Sequence, residues 1–245
     1  MENNNNSFLS FIITWFILCL FNYETLQAQP NEYGLLVIKT KKEYKQSVAA
    51  DSLKRMVDIK QYIPGIQIDL RYSTENNFMH TRLYPLLKTT YVRLAAAQIL
   101  LLIQNELKQK GLSLKIFDAY RPYHVTVKMW EPVKDSRYAA DPKFGSGHNR
   151  GIAIDLTIVH SNNLMELNMG TDFDNFTDTA HHDFKNLNPT ILQNRALLKT
   201  IMEKYGFIAL DTEWWHYYLP NAKTYELMNL SFNTLKKLSS IKLIH

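Results

Sequence analysis

Two short segments of this 245-residue chain carry the residue types that could perform chemistry. The segment Ser-Gly-His-Asn-Arg-Gly-Ile-Ala-Ile-Asp contains His148 and Asp155, and the segment Glu-Trp-Trp-His contains Glu213 and His216. Two imidazoles and one carboxylate form a donor set that Zn²⁺ accepts, and three protein ligands leave one coordination position open. A second carboxylate beside such an ion can accept a proton from water, so the set predicts a hydrolytic metal site.

The spacing of Glu213 and His216 leaves two arrangements open. Residues three positions apart in an ideal strand point to opposite faces. Either the chain bends between them, so that both side chains reach one site, or Glu213 contacts the attacking water while His216 binds the metal. The second role is the one expected of a general base.

Each of these residues also has a purely structural interpretation. A single histidine in a glycine-rich loop is usually a hydrogen-bonding residue, and Glu-Trp-Trp-His is also compatible with an aromatic packing face. Asp155 is harder to explain in this way, because a buried carboxylate without a partner is costly. The prediction of a metal site therefore depends on the combination of the residues.

The hydrophobic pattern predicts how these residues are positioned. Isoleucine and leucine alternate with other residues over 152–158, which predicts a strand with Asp155 on the face opposite the isoleucines and His148 on the loop before it. A similar alternation predicts a strand over 66–72. The other predicted elements are helices at 94–110, from Pro122 to 130 and at 196–205, strands at 114–117, 207–209 and 213–219, and loops at 131–147 and 160–190.

This order of elements predicts a fold class. The elements are few and lack βαβ alternation, so we expect a single α+β domain with a mainly antiparallel sheet, flanking helices and the zinc site on the sheet. Residues 29–60 give a weak pattern, and the mixed-charge stretch 39–54 is interpreted as a solvated lead-in. The adjacent His181 and His182 are expected on the long loop, since neighbouring side chains seldom face one site.

The N-terminus predicts export. Residues 8–21 form a mostly apolar run of 14, too short to span a bilayer and typical of a secretory signal. We therefore divide the chain into a signal peptide (1–28) and a catalytic domain (29–245), with an uncleaved anchor as the alternative. Cys19, the only cysteine, lies in the signal, so the exported domain contains no disulfide. The expected location is the periplasm or cell envelope.

The net charge limits the classes of partner that the sequence predicts. The net charge is +5, and removal of the first 28 residues leaves +7, a balance that suits an anionic envelope. Neither a basic run interleaved with aromatics nor a zinc-finger spacing is present, so nucleic acid is not a predicted partner. The C-terminal stretch 225–245 combines leucine and isoleucine with lysine. We expect it to pack on its own domain, with contact to a membrane surface as the alternative.

The same segments resemble the zinc D-alanyl-D-alanine dipeptidase family (peptidase family M15), the group that includes the vancomycin-resistance dipeptidase. Further matches lie in the family's order across residues 62–220. They are Leu-Arg-Tyr-Ser-Thr-Glu-Asn-Asn-Phe around Tyr72, Tyr-Arg-Pro around Arg121, and Met-Gly-Thr-Asp-Phe-Asp ending at Asp174. Any one of these would be weak, and the combination is specific.

The resemblance implies a role for each matching residue. His148, Asp155 and His216 would be the ligands of one Zn²⁺ per chain, and Glu213 would be the general acid and base. Arg121 would polarise the scissile carbonyl and stabilise the oxyanion, as a fixed cation does in a water-poor site. The alternative for Arg121 is a structural ion pair with a neighbouring acid.

The resemblance also implies a substrate-binding set. Tyr72 and Asp174 would bind the free amino group of the substrate, with a core aromatic and a turn residue as the respective alternatives. Gly147 departs from family members that carry a hydrogen-bonding side chain at this position, so contacts to the substrate carboxylate are expected to differ. Ser146 is the candidate that would replace them.

The implied activity is hydrolysis of the dipeptide D-Ala-D-Ala to two D-alanines. A carboxylate that binds a free ammonium favours a dipeptide, because a longer peptide would leave Asp174 buried without its partner. The first alternative is a zinc D,D-carboxypeptidase that acts on peptidoglycan stem peptides. The second, from another class, is a non-catalytic zinc-bearing module that binds cell-wall peptides, against which Glu213 argues because a structural zinc needs no base.

Overall fold

The computed structural model describes residues 29–239, so the predicted signal peptide lies outside the described residues. Nine strands are present in this range. They are β1 Val37–Ile38, β2 Met56–Asp58, β3 Gln67–Ile68, β4 Tyr91–Arg93, β5 Leu112–Asp118, β6 Ala153–His160, β7 Ile208–Ala209, β8 His216–Tyr218 and β9 Leu227–Met228.

Seven α-helices surround these strands within the described range. They are α1 Lys41–Ala50, α2 Ile59–Tyr62, α3 Leu94–Lys108, α4 Tyr123–Val133, α5 Gly147–Arg150, α6 Pro189–Lys204 and α7 Phe232–Ser239. Short 3-10 helices cover Ser52–Lys54, Arg71–Ser73, Asp178–Ala180 and Ala222–Thr224. The α+β class predicted from the sequence is confirmed.

The central sheet has five strands in the order β3-β5-β6-β8-β7. β3 pairs with β5 in parallel, whereas β5–β6, β6–β8 and β8–β7 are antiparallel pairs. The sheet is therefore mixed. The prediction of a mainly antiparallel sheet did not include the parallel β3–β5 pair at its edge. A parallel pair needs a crossover connection, and here the chain between β3 and β5 contains α3.

The core lies between α3 and the central strands. The apolar stripe of α3 buries Leu100, Ile103 and Leu107 completely, and they belong to the same cluster as Leu156 and Ile158 of β6. Burial of each such side chain stabilises the fold by about 1.5–3 kcal/mol. β6 is buried from Ala153 to Val159, on both faces, and so provides a rigid support for Asp155.

Several predicted boundaries were wrong. The strand predicted at 66–72 shortens to β3, and the backbone then turns through a 3-10 helix in which Ser73 N–H donates to Leu70 C=O. The solvated lead-in contains α1, which begins with a capping box between Thr40 and Glu43. α6 begins inside the predicted loop, because Asn188 caps it and Pro189 occupies its first turn.

The described part of the C-terminal stretch packs on the domain, as expected. Phe232 and Leu235 of α7 are buried, and the ring of Phe232 lies 5.0 Å from that of Tyr84 and 5.7 Å from that of Tyr120. Residues 240–245 lie outside the described range. Among residues 29–239, helices long and apolar enough to cross a membrane are absent.

Candidate active site

Three elements bring His148, Asp155 and His216 together. Asp155 lies in the middle of the sheet, and its Cα partner across the β6–β8 pair is His216. His148 belongs to α5, a single helical turn just before β6, and not to a loop as predicted. Ser146 and Asn149 form a capping box around this turn, which fixes the direction of the His148 side chain.

The three side chains have the geometry of a metal-binding group. Their candidate ligand atoms all lie within 4.8 Å of one another. His216 Nδ1 is 2.8 Å from Asp155 Oδ1, and His148 Nε2 is 3.4 Å from Asp155 Oδ2. Burial favours the neutral form of Asp155, but the charges and hydrogen bonds of both histidines hold the pKa of this carboxyl below its usual range.

The second nitrogen of His148 supports the same interpretation. His148 Nδ1 lies 2.7 Å from the carbonyl oxygen of Ala119, which can only accept, so Nδ1 carries the proton. When the ring is neutral, Nε2 carries no proton, and its lone pair is directed at Asp155 Oδ2 and His216 Nδ1. Metal-binding histidines are commonly oriented by such a hydrogen bond to a backbone carbonyl. The donor set and its orientation therefore fit a zinc ion.

Glu213 reaches the same cavity because the chain bends before His216. The predicted strand 213–219 begins only at His216. Before it, Glu213 N–H donates to Leu210 C=O and His216 N–H donates to Glu213 C=O, so the segment is a turn. Glu213 Oε2 consequently lies 3.9 Å from His216 Nδ1.

The surroundings of Glu213 favour proton exchange near neutral pH. Only 16% of its side chain is exposed. Burial raises the pKa of the Glu213 carboxyl to about 7, even though the neighbouring His216 opposes the rise. A carboxyl with such a pKa can both accept and release a proton at neutral pH.

Arg121 lies beside the His–Asp–His group and is held by Asp118. Its Nε and Nη2 donate to Asp118 Oδ2 at 3.1 and 2.8 Å, and Nη2 is 3.9 Å from Asp155 Oδ2. Tyr84 donates its hydroxyl to the same Asp118 carboxylate. The ion pair weighed as an alternative for Arg121 thus exists, and it fixes a guanidinium that also lines the cavity.

Asp174 and Tyr72 form the opposite end of the cavity. The Tyr72 hydroxyl donates to Asp174 Oδ1 at 2.9 Å, and Asp174 Oδ2 is buried without a hydrogen-bond partner. Burial raises the pKa of Asp174 well above its ordinary value, and the charge of Asp155 adds to the rise. The oxygen without a partner can accept a hydrogen bond, so this end can receive an N–H donor such as an ammonium.

Ser146 lines the cavity and also caps α5. Its Oγ accepts the N–H of Asn149 at 3.1 Å, which leaves the hydroxyl proton available to another acceptor. The adjacent Gly147 has a packing explanation, since a Cβ at this position would lie 2.7 Å from the Cβ of Ala153. A larger residue at 147 would displace the start of β6.

A cavity of about 350 Å³ joins these groups, a volume within the range of small-molecule sites. The sequence did not predict several of the residues that line this cavity, in particular Phe78, Tyr138 and Phe176. They lie on three separate loops, where hydrophobic periodicity gives no signal. His181 and His182 lie on the long loop, as predicted, and neither is among the residues that line this cavity.

Comparison with known proteins gives consistent matches. A sequence model of the peptidase M15 family, described as D-Ala-D-Ala dipeptidase, matches residues 52–234. A D-alanyl-D-alanine dipeptidase from Escherichia coli K12 is 33% identical over 178 residues, which cover 73% of this chain and 91% of that protein. One from Enterococcus faecalis is 27% identical over 66% of this chain and 89% of that protein.

A solved structure also aligns with part of the chain. It is the vancomycin-resistance D,D-dipeptidase VanXYg in complex with a D-Ala-D-Ala phosphinate analogue. Its sequence is 18% identical, and the alignment covers 69% of this chain and 68% of that chain with a TM-score of 0.32.

Proposed function

This chain belongs to the D-Ala-D-Ala dipeptidase family of M15 peptidases, and on that premise we propose that it hydrolyses D-Ala-D-Ala to two D-alanines. One observation supports this most directly. Asp174 Oδ2 is buried without a partner in the cavity that also contains the His–Asp–His group and Glu213. A substrate with a free ammonium near its scissile bond satisfies that oxygen.

Peptidases of this family are zinc-dependent. His148, Asp155 and His216 would hold one zinc ion per chain, since two imidazoles and a carboxylate are a common catalytic set. When bound, the ion would act as a Lewis acid toward the scissile carbonyl and lower the pKa of a water molecule.

Glu213 moves the proton that hydrolysis requires. Its carboxylate accepts a proton from the attacking water as the water oxygen bonds to the carbonyl carbon. The C–N bond then breaks, and the Glu213 carboxyl returns the proton to the leaving nitrogen, which gives two molecules of D-alanine. The distance of 3.9 Å between Glu213 Oε2 and His216 Nδ1 supports this role, and Glu213 is not a member of the His–Asp–His group.

Arg121 stabilises the oxygen of the tetrahedral intermediate. A guanidinium that is already oriented needs no rearrangement when negative charge develops, which makes such a cation effective in a dry site. Asp118 and Tyr84 supply this orientation through the carboxylate that accepts two Arg121 N–H groups.

The two ends of the substrate are bound by opposite sides of the cavity. Asp174 accepts the ammonium, with Tyr72 holding the carboxylate in place. The Ser146 hydroxyl donates to the C-terminal carboxylate of the substrate. Gly147 contributes only backbone there, so this end is held by fewer side chains than the amino end.

We also propose that residues 1–28 are a signal peptide and that the enzyme acts in the periplasm or cell envelope. The apolar run 8–21 supports this. N-terminal sequencing of the mature protein from a fractionated cell tests it. The expected result is a chain that begins near residue 29 in the exported fraction, and an intact N-terminus in the cytosol would contradict it.

The activity is tested by metal content together with D-alanine release from di-, tri- and pentapeptides that end in D-Ala-D-Ala. We expect one zinc per chain and rapid cleavage of the dipeptide alone. Cleavage of the pentapeptide at a comparable rate would instead assign a D,D-carboxypeptidase of peptidoglycan stems. Zinc-loaded protein that leaves every peptide intact would assign a non-catalytic binding module.

A further inference from the structure

Three aromatic side chains lie in a row over the amino end of the cavity. The ring centroids of Phe78 and Phe176 are 5.1 Å apart at an interplanar angle of 68°. Those of Phe176 and Tyr138 are 4.9 Å apart at 34°. These spacings are typical of aromatic pairs that attract each other. We call Phe78, Phe176 and Tyr138 the aromatic bridge.

The aromatic bridge connects three loops that are distant in sequence. Phe78 follows the 3-10 helix Arg71–Ser73, Tyr138 lies between α4 and α5, and Phe176 lies between β6 and α6. All three side chains line the 350 Å³ cavity. They are partly exposed, so they form a wall between the cavity and solvent.

The bridge begins beside the proposed ammonium site. Tyr72, which donates to Asp174 at 2.9 Å, packs edge-on against Phe78 with the ring centroids 6.3 Å apart. Phe176 is two residues beyond Asp174, whose backbone is left-handed with φ 61°. The tight backbone at Asp174 thus turns the carboxylate inward and brings the Phe176 ring over the same end.

The direction in which the substrate binds indicates the role of the aromatic bridge. In a peptide bound with its carbonyl at the His–Asp–His group and its ammonium at Asp174, a further residue would be attached to the amino nitrogen. That residue would extend past Asp174 into the space that the aromatic bridge occupies. The rings of Phe78, Phe176 and Tyr138, which contact one another, form part of the cavity wall on this side.

We propose that the aromatic bridge is a specificity determinant that restricts this enzyme to dipeptides by occupying the position of a third residue. The inference rests on the proposed dipeptidase activity. It adds a steric barrier to the electrostatic preference that Asp174 provides, and it assigns the barrier to Tyr138 and Phe176.

The experiment compares two substrates in variants of the full mature chain. Tyr138→Ala and Phe176→Leu remove part of the wall, and kcat/KM is measured for D-Ala-D-Ala and for Gly-D-Ala-D-Ala. The expected result is a rise of at least about tenfold in the ratio of tripeptide to dipeptide kcat/KM in each variant, the size of effect that removing a pocket contact produces.

Two further variants serve as controls. Tyr138→Phe keeps the ring and should keep the wild-type ratio. Phe144→Ala removes an aromatic side chain from the same interhelical loop, but Phe144 is 73% exposed and does not line the cavity, so the ratio should not change. Circular dichroism and the melting temperature verify folding, and a variant that does not fold is replaced by Phe78→Leu.

The outcomes separate this inference from the proposed function. Wild-type protein that cleaves neither peptide would contradict the proposed function itself. Wild-type protein that cleaves the dipeptide, together with folded Tyr138→Ala and Phe176→Leu that keep the wild-type ratio, would overturn the steric role. If Asp174→Asn alone then raised the ratio, the charge of Asp174 would account for the discrimination without the bridge.

Discussion

The two ends of the cavity are built in different ways. At the reactive end, Asp155 and His216 lie on adjacent strands, and their side chains are joined at 2.8 Å. At the amino end, Asp174 and Phe176 lie on a loop, and Asp174 Oδ2 has no partner. The polar groups of the reactive end contact one another, whereas the amino end leaves a buried carboxyl oxygen that the proposed substrate would satisfy.

This difference indicates that the sheet positions the catalytic groups and that the loops recognise the substrate. A hydrolytic centre tolerates little displacement, and strands of a buried sheet restrict it most. Recognition can be varied on loops without disturbing that centre. Changes at the reactive end should therefore abolish catalysis, whereas changes at the amino end should alter the choice and binding of substrate.

The largest effect is expected at the reactive end. His148→Ala removes a proposed zinc ligand that is oriented by the Ala119 carbonyl, so both zinc and activity should be lost. The measurements are metal content by mass spectrometry and D-alanine release. His160→Ala changes an exposed histidine at the end of β6 and should retain both. Full zinc occupancy in His148→Ala would show that His148 is not a zinc ligand.

A smaller effect is expected at the amino end. Asp174→Asn preserves shape but removes the charge that meets the ammonium, and loss of one partner of a buried charge pair costs about 2–5 kcal/mol. The kcat/KM for D-Ala-D-Ala should therefore fall by about 30-fold to 4,000-fold, while zinc content stays unchanged.

The nearby Asp172→Asn serves as the matched control, because Asp172 is exposed and does not line this cavity. It should retain wild-type kinetics. An Asp174→Asn enzyme with normal kcat/KM would show that the ammonium is bound elsewhere, and the contrast between the two ends would lose its basis.

The smallest effect concerns stability behind the site, where the His182 ring lies 6.1 Å from that of Tyr217. Burial, together with the charges of Lys199 and Arg195, lowers the pKa of His182 to about 4. The unfolded chain therefore binds more protons than the folded one between about pH 6.5 and 4. Stability from a neutral His182 is present above pH 6.5 and is lost as the pH falls through this window.

Urea unfolding at pH 7 and pH 4.5 tests this difference. The loss of stability between the two pH values should be smaller in His182→Asn than in the wild type by on the order of 2 kcal/mol, after allowance for the partial exposure of the ring. His160→Asn should behave as the wild type does. If His182→Asn and the wild type lost the same amount of stability between the two pH values, His182 would not be a buried neutral imidazole in the folded protein.

The reactive end could be predicted from the sequence because its residues are tied to regular structure. The alternation over 152–158 correctly places Asp155 on a strand, and His148 is near it by sequence alone. The capping box of Ser146 and Asn149 turns the predicted loop into α5, and Asn149 stands where the usual sequence pattern has Glu or Gln. The bend before His216 could not be chosen over the alternative, since both fit the same spacing.

The amino end was less predictable for a physical reason. Tyr72 was expected on a strand, yet a 3-10 turn directs it to Asp174, because the backbone hydrogen bonds of residues 70–74 are local. Phe78, Tyr138 and Phe176 meet only in the folded chain. Contacts between loops far apart in sequence leave no periodic signal, so the aromatic bridge required the structure.

In the proposed mechanism Glu213 transfers the proton, while His148, Asp155 and His216 hold the metal. Glu213→Gln tests it most directly, with zinc content and D-Ala-D-Ala hydrolysis measured on the same preparation. We predict one zinc per chain and a fall in kcat of at least about 10², the scale for loss of a general base. Loss of zinc together with activity would make Glu213 a ligand, and retained activity would remove it from the mechanism.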